Sequence, residues 1–343
     1  CALPICTMTK RKPSPELGVI IPCYNEEEVL PELLKELDKL DQALPSPVYF
    51  LFVDDGSTDE TLEILTAVCD RDERVACLSL SRNFGHQSAV SAGLQHARGD
   101  IVAVIDADLQ DPPSAIPAFI DKWREGYDVV YGIRTNRKER LPLRLAYALF
   151  YRILKKIAHI DVPLDAGDFA LMDRRVVDVI NRMPEHNRFI RGLRGWVGFR
   201  QTGVPYERQS RHSGTSKYPF SKLMKLALDG LVSFSAVPLR LASWLGALAA
   251  LLGFGYLLYA FIARLAGVSI PAGWTSTMII ILFLGGIQLM VLGILGDYIG
   301  RIFDEVKNRP HYIQQKELGW LAERPLQDEP ADAGNLRRSI PQF

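Results

Sequence analysis

The chain has 343 residues and a formal net charge of zero, with 40 Lys and Arg against 40 Asp and Glu. That length fits one large domain with an appendage, or two domains, and the charge balance argues against a nucleic-acid binder, which carries a basic surplus. The five cysteines, Cys1, Cys6, Cys23, Cys69 and Cys77, form no CxxC or Cys/His cluster. They read as free thiols of a reducing compartment, not as a disulfide frame or a zinc site.

Residues 1–16 are expected to be a disordered N-terminal segment. They hold no apolar stretch long enough for a signal peptide, and Met8 is a candidate first residue. Strands then alternate with helices. "LGVIIPC" is a strand, and "EEEVLPELLKELDKL" has apolar residues three and four apart, as a helix requires. "VYFLFVDD" is the next strand. "GSTDETLEILTAVCD" is the next helix, with Ser57 and Glu60 spaced as a capping box. "RVACLSL" and "HQSAVSAGLQHA" repeat the pair. "DIVAVIDAD" is a strand whose buried part runs from Ile101 to Asp106, "PSAIPAFIDKWREG" a helix, and "YDVVYGIR" a fifth strand. Such repeats predict an α/β domain with a mostly parallel, Rossmann-like sheet, here over residues 17–218.

The chain then changes character. Residues 219–238 read as a juxtamembrane amphipathic segment, with apolar Phe220, Leu223, Met224, Ala227 and Leu228 on one face and Lys222 and Lys225 beside them. Leu241 to Ala263 and Leu265 to Gly296 carry no charged side chain. Each run reaches the ~20 apolar residues that cross a bilayer. Two buried helices of a soluble core are the alternative, which two such runs side by side disfavour. A pair of transmembrane helices is therefore expected within 239–299, at about 241–263 and 274–296. Basic residues flank both outer ends: Lys222, Lys225 and Arg240 before, Arg301, Lys307 and Arg309 after. The positive-inside rule puts both termini in the cytoplasm and the connector outside. Trp244, Tyr256, Tyr259, Trp274 and Tyr298 include candidate interface anchors. Ala242, Gly246 and Ala250, with Gly296 and Gly300, permit close helix packing within or between chains, or are lipid-exposed filler. Residues 300–343 form a cytoplasmic tail.

In open α/β sheets ligands sit at the carboxyl ends of the strands. The polar clusters fall there: Tyr24, Asn25 and Glu26; Asp54 and Asp55; Asp106 and Asp108; Arg134. The first loop lacks GxGxxG, and GxxxxGK[ST] and GxSxG are absent as well. Two carboxylates two residues apart, with Gln110 behind them, suit an oxygen-loving cation that takes its other ligands from water and a diphosphate. A solvated turn is the other reading of an acid-x-acid pair.

The set is more specific than its parts. "VIIPCYNEEEVL", "FVDDGSTDET", "SRNFGHQSAVSAGL", "VIDADLQDPP" and "GDFALMDR", in this order and spacing, resemble the family-2 glycosyltransferases of the GT-A fold. Among these the chain is similar to the polyprenyl-phosphate sugar synthases, of the dolichyl-phosphate mannose synthase and bacterial undecaprenyl-phosphate glucosyltransferase type. "LFLGGIQLMVLGILGDYIGRIFDEVKNRP" resembles the two-span tail of the bacterial subgroup, and the QxxRW motif of processive synthases is not found.

The resemblance implies a membrane-bound inverting enzyme that moves a sugar from a nucleoside-diphosphate sugar, UDP-glucose or similar, to polyprenyl phosphate. A GDP-mannose-using dolichyl-phosphate-mannose-synthase-like enzyme and a polysaccharide-extending synthase are the alternatives. It implies Mg2+ or Mn2+ at Asp106, Asp108 and Gln110. Pro22, Tyr24, Glu26, Val53 and Asp55 would line the base and ribose. Asp106, Ala107, Asp108, Arg134, Arg211 and Lys217 would surround the remaining donor, the last two on a mobile basic loop. Arg134 and Arg144 would meet the lipid phosphate. Asp168 is implied near the acceptor, as a general base or as a positioning group. The implied setting is the cytoplasmic membrane, multi-pass, with the catalytic domain inside, and the packing of the spans allows a homo-oligomer.

Overall fold

The computed structural model describes residues 11–134, 166–186, 188–207, 237–265 and 273–322. Strands β1 (Leu17–Cys23), β2 (Val48–Asp54), β3 (Val75–Leu80), β4 (Ile101–Val104) and β5 (Val129–Arg134) alternate with helices α1 (Leu30–Ala43), α2 (Thr61–Cys69), α3 (His86–His96) and α4 (Ile116–Arg124). The apolar runs become strands because both faces of the sheet are covered, so nearly every side chain is buried and alternation is lost. The two faces still separate by parity. Val19, Ile21, Phe50 and Phe52 pack with Leu33, Leu37 and Leu65 of α1 and α2. Ile20, Leu51 and Val53 pack with Ala89, Val90 and Leu94 of α3.

Two boundaries differ from the sequence expectation. The ladder of β4 ends at Val104, because Ile105 makes a last bond to Ile20 O at 3.0 Å and the chain then bends into the acidic loop. Helix α2 starts at Thr61 without a side-chain cap, so no capping box forms. Ser57 Oγ instead accepts the Asn25 N–H at 3.0 Å, and Glu60 N–H donates to Glu27 Oε2 at 2.8 Å. The two residues stitch the β1–α1 and β2–α2 loops together rather than starting a helix.

Further along run β6 (Ala166–Asp173), α5 (Arg174–Asn181), α6 (Ile190–Trp196), β7 (Gln201–Tyr206), α7 (Val237–Leu265), α8 (Trp274–Lys307) and β8 (Gln314–Gly319). Among the described residues eight strands form one sheet in the order β7-β5-β6-β4-β1-β2-β3-β8. The mostly parallel α/β expectation is met, with β6 and β8 the reversed strands. The reversal of β6 matters for the site. It enters where β4 and β5 leave, with Ala170 opposite Val104 and Ala166 opposite Ile133. Asp168 therefore lies at the carboxyl edge with the loops after β4 and β5.

Helices α7 and α8 pack on one another and leave large apolar side chains uncovered, among them Leu251, Phe254, Phe283, Leu289 and Leu292. Among the described residues Phe283–Lys307 is long and apolar enough to cross a membrane, and none of it is buried in protein. Helix α8 continues past the expected end of the span to Lys307 and stops at Asn308, which takes a left-handed conformation at φ 44°. The chain then returns to the domain. Strand β8 pairs with β3, and Trp320 stacks edge-on against Tyr49 with Arg98 over its ring.

Candidate active site

The carboxyl edge is assembled loop by loop. After β1, Asn25 takes a left-handed φ of 55° and its Oδ1 accepts the Thr58 N–H at 2.8 Å. Tyr24 beside it is 45% exposed, an aromatic face open to a ligand. Pro22 and Val53 are buried, and the side chain of Val53 belongs to the core, so its backbone is what it offers at this edge. Glu26 is half-buried, and its N–H donates to Thr61 Oγ1 at 2.9 Å.

Asp54 and Asp55 are both buried. Asp54 accepts from Ser57 N and Ser79 Oγ. Asp55 accepts the Phe84 and Gly85 N–H groups at 2.7 and 2.8 Å. Burial raises the Asp55 carboxyl above its ordinary range, against the pull of those two N–H groups. Gly56 makes this turn possible. Its φ is +69°, and a Cβ there would stand 2.4 Å from the backbone of Arg82, so the β2 turn lies directly on the β3–α3 loop.

The acidic loop follows β4. Asp106 is half-buried, Ala107 and Gln110 are buried, and Asp111 is 1% exposed. Asp108 Oδ1 accepts the Gln110 N–H at 3.1 Å, which turns the chain. Leu109 is held at φ 57°, a conformation that costs a non-glycine residue ~1–3 kcal/mol and collects at functional sites. Asp106 Oδ1 and Asp111 Oδ2 are buried without a hydrogen-bond partner. Burial pushes the Asp106 carboxyl up to about 6; the charge of His86 opposes this and Asp111, Asp168 and Asp108 reinforce it.

Opposite stands Asp168. Arg191 of α6 holds it with two parallel bonds, Nε at 2.8 Å and Nη2 at 2.7 Å, and His86 Nε2 lies 3.5 Å away. Burial would raise the Asp168 carboxyl, but the bonds from Arg191 and His86 outweigh it and hold it well below the usual range. A carboxylate so held is a weak base and a strong anchor. Arg134 ends β5 in register with Tyr206 at the end of β7. Its Nε donates to Tyr206 Oη at 3.2 Å, and Nη2 stands 3.7 Å from Asp111 Oδ2. Tyr206 Oη in turn donates to Asp111. Beneath them Arg194 is 2% exposed and donates to Gly167 O at 3.3 Å.

The structure thus brings Asp106, Asp108, Arg134 and Asp168 to one edge with Tyr24 and Asp55. Arg144, Arg211 and Lys217 lie outside the described residues. His86, Arg191 and Tyr206 are missing from the sequence reading, and Asp111 stands in it only as an acid behind Asp106 and Asp108, with no role. Asp111 and His86 carried a signal, since each lies inside one of the family motifs, His86 after a strand-end loop. A divalent cation fits the donor set in one respect and is limited in another. Asp106 has an unbonded, buried oxygen where a cation would balance four nearby carboxylates. Yet among the described residues no group of three or more His, Cys, Asp and Glu could hold a metal, so a cation here would take most of its ligands from substrate and water.

The pattern of "Glycosyl transferase family 2" matches residues 18–180, and that of "GtrB C-terminal hairpin" matches residues 237–302. The chain is 46% identical over 315 residues to an uncharacterized glycosyltransferase, YkcC, of Bacillus subtilis, covering 92% of this chain and 98% of that one. It is 42% identical over 302 residues to a prophage-derived bactoprenol glucosyl transferase of Shigella flexneri, covering 88% and 98%. Among solved structures, a mannosyltransferase from Pyrobaculum calidifontis in complex with GDP-Man and Mn2+ is 19% identical at a TM-score of 0.43, covering 81% of this chain and 87% of that one. The chain belongs to glycosyl transferase family 2.

Proposed function

We propose that the protein transfers a sugar from a nucleoside-diphosphate sugar, UDP-glucose or a close analogue, to polyprenyl phosphate at the cytoplasmic membrane. The observation that carries this reading is the meeting, at one edge, of the acidic loop Asp106–Asp111 with the Asp168–Arg191–His86 cluster, in a chain whose next helices expose apolar surface. The names of its relatives support the lipid acceptor.

In this reading Tyr24, Glu26 and Asp55, with the backbone at Pro22 and Val53, hold the nucleoside. Asp106 and Asp108, with Ala107 between them and Gln110 behind, would hold Mg2+ or Mn2+. When bound, such an ion offsets the charge that grows on the departing diphosphate. Arg211 and Lys217, outside the described residues, would add positive charge to the same phosphates. Arg134, and Arg144 outside the described residues, would bind the phosphate of the lipid. That phosphate already carries ~1.5–2 negative charges at neutral pH, so it attacks C1 of the sugar without a base while the bond from C1 to the diphosphate oxygen breaks. Attack from the opposite face inverts C1. Asp168, kept ionised by Arg191, positions the acceptor side rather than removing a proton. The two helices hold the site at headgroup level, both termini in the cytoplasm.

Acceptor choice tests the reading. Purified protein in detergent, given the sugar nucleotide, should glycosylate polyprenyl phosphate and leave an oligosaccharide acceptor unextended. Extension of the oligosaccharide without a lipid product would overturn it.

A further inference from the structure

We propose that His86 hydrogen-bonds the transferred sugar through Nε2 and thereby helps select the donor. This deepens the reading above and rests on it. His86 opens α3, directly after the β3 loop. Its Nε2 lies 3.8 Å from Asp106 Oδ1 and 3.5 Å from Asp168 Oδ2. One nitrogen therefore stands between the carboxylate on the diphosphate side and the carboxylate on the acceptor side. Any sugar in transit has its C1 between those two sides, so the ring of His86 borders its path.

The placement is built. Asp55 holds the Phe84 and Gly85 N–H groups, and Gly85 takes a φ of 95° that aims the helix start. Gln87 Oε1 accepts the Ile190 N–H at 2.9 Å. That bond ties the first turn of α3 to α6, the helix that carries Arg191. The ring does not cap its own helix. The N-cap of α3 is Gly85, with no side-chain cap bond. The imidazole side chain is 42% exposed, and its Nε2 faces the two site carboxylates. Asp106 Oδ1, its neighbour, has no hydrogen bond. A side chain fixed at its root, partly exposed, and with Nε2 held 3.5–3.8 Å from two carboxylates is placed to exchange its long contact with Asp168 for a shorter bond to a ligand hydroxyl.

The test is a ratio of affinities in the full chain in detergent with Mn2+. Calorimetry measures Kd for UDP-glucose and for UDP, and for GDP-mannose and GDP, in wild type, His86→Ala and His86→Gln. One hydrogen bond to the sugar is worth a factor of about 3–10. His86→Ala should weaken the sugar nucleotide by that factor while the bare nucleoside diphosphate keeps its Kd. His86→Gln, which keeps a donor, should recover part of the loss and shift the turnover ratio between UDP-glucose and UDP-galactose. Equal weakening of both ligands, or no change in either, would overturn the proposal and assign the ring to charge balance or to folding. Thermal unfolding of both variants controls for the latter. A wild type that binds sugar nucleotides yet glycosylates no lipid would sink the parent reading and leave the affinity ratio to judge His86. A wild type that binds none would sink both.

Discussion

Replacing Asp106 by asparagine should make the metal-free protein more stable and the loaded enzyme inactive. Burial is the main reason that this carboxyl is raised from 3.8 to about 6. Each pH unit of difference is worth ~1.4 kcal/mol, so ionising Asp106 costs the folded chain ~3 kcal/mol at neutral pH. Its side chain is 30% exposed, and solvent screening reduces the figure to ~1–2 kcal/mol. The sign follows from the raised value. Below its unfolded pKa of ~3.8 the group is neutral in both states and there is no penalty. The penalty grows as pH rises through 6 and is constant above. Asparagine removes the charge, and Asp106 Oδ1 has no hydrogen bond to lose. With ~2–4 °C per kcal/mol for a domain of this size, Asp106→Asn should melt about 2–8 °C higher than wild type at pH 7.5 in chelator, and level with it at pH 4. Mn2+ with a sugar nucleotide should then raise the melting temperature of wild type and leave the variant unmoved. Differential scanning fluorimetry in the three conditions measures this. A variant less stable than wild type in chelator at pH 7.5, or a gain undiminished at pH 4, would refute the reasoning.

Arg191→Met should destabilise by ~1–3 kcal/mol, less than a fully buried pair because the arginine is partly exposed. Asp168 is held below its ordinary value, so the stability it contributes is present above pH ~3.9 and fades as pH falls towards its folded value. The gap between wild type and Arg191→Met should therefore be flat from pH 6 to 8 and narrow below 4; a gap that stays flat to pH 3 would count against the pairing. Tyr206→Phe leaves Asp111 and Arg134 without the hydroxyl between them and should cost ~1–3 kcal/mol in urea unfolding; an unchanged midpoint would show the network to be idle. For the proposed topology, an impermeant thiol reagent added outside cells should label Ser269→Cys and spare Ser213→Cys, and the reverse pattern would invert the arrangement.

The first five strands were legible because each is a short, mostly buried apolar run bounded by turn residues. Strands β6, β7 and β8 were not. The run of β8, "QQKELG", is polar, as an edge strand is when it must not recruit another chain, and β7 carries Gly203 and Pro205. Strand β6 is apolar enough, but nothing local says that it runs backwards between β4 and β5. That reversal hid much of the site. Asp106 and Asp108 declare themselves by ending an apolar run in acids. Asp168 was placed near the acceptor by resemblance alone, and its partners Arg191 and His86 become visible only once β6 delivers it to the same edge. Tyr206 was hidden with the strand that carries it, although its register with Arg134 follows at once from the sheet.

The most direct test of the account is the lipid product itself. Purified wild type and Asp108→Asn are incubated with undecaprenyl phosphate and a panel of sugar nucleotides across a Mn2+ and Mg2+ titration, and the lipid is weighed by mass spectrometry. The account predicts one sugar added to the lipid phosphate by wild type, for at least one donor, with activity abolished by chelator. It predicts a folded Asp108→Asn enzyme that has lost both turnover and metal response. Wild-type transfer that ignores chelator, or an Asp108→Asn enzyme that matches wild type across the titration, would contradict it.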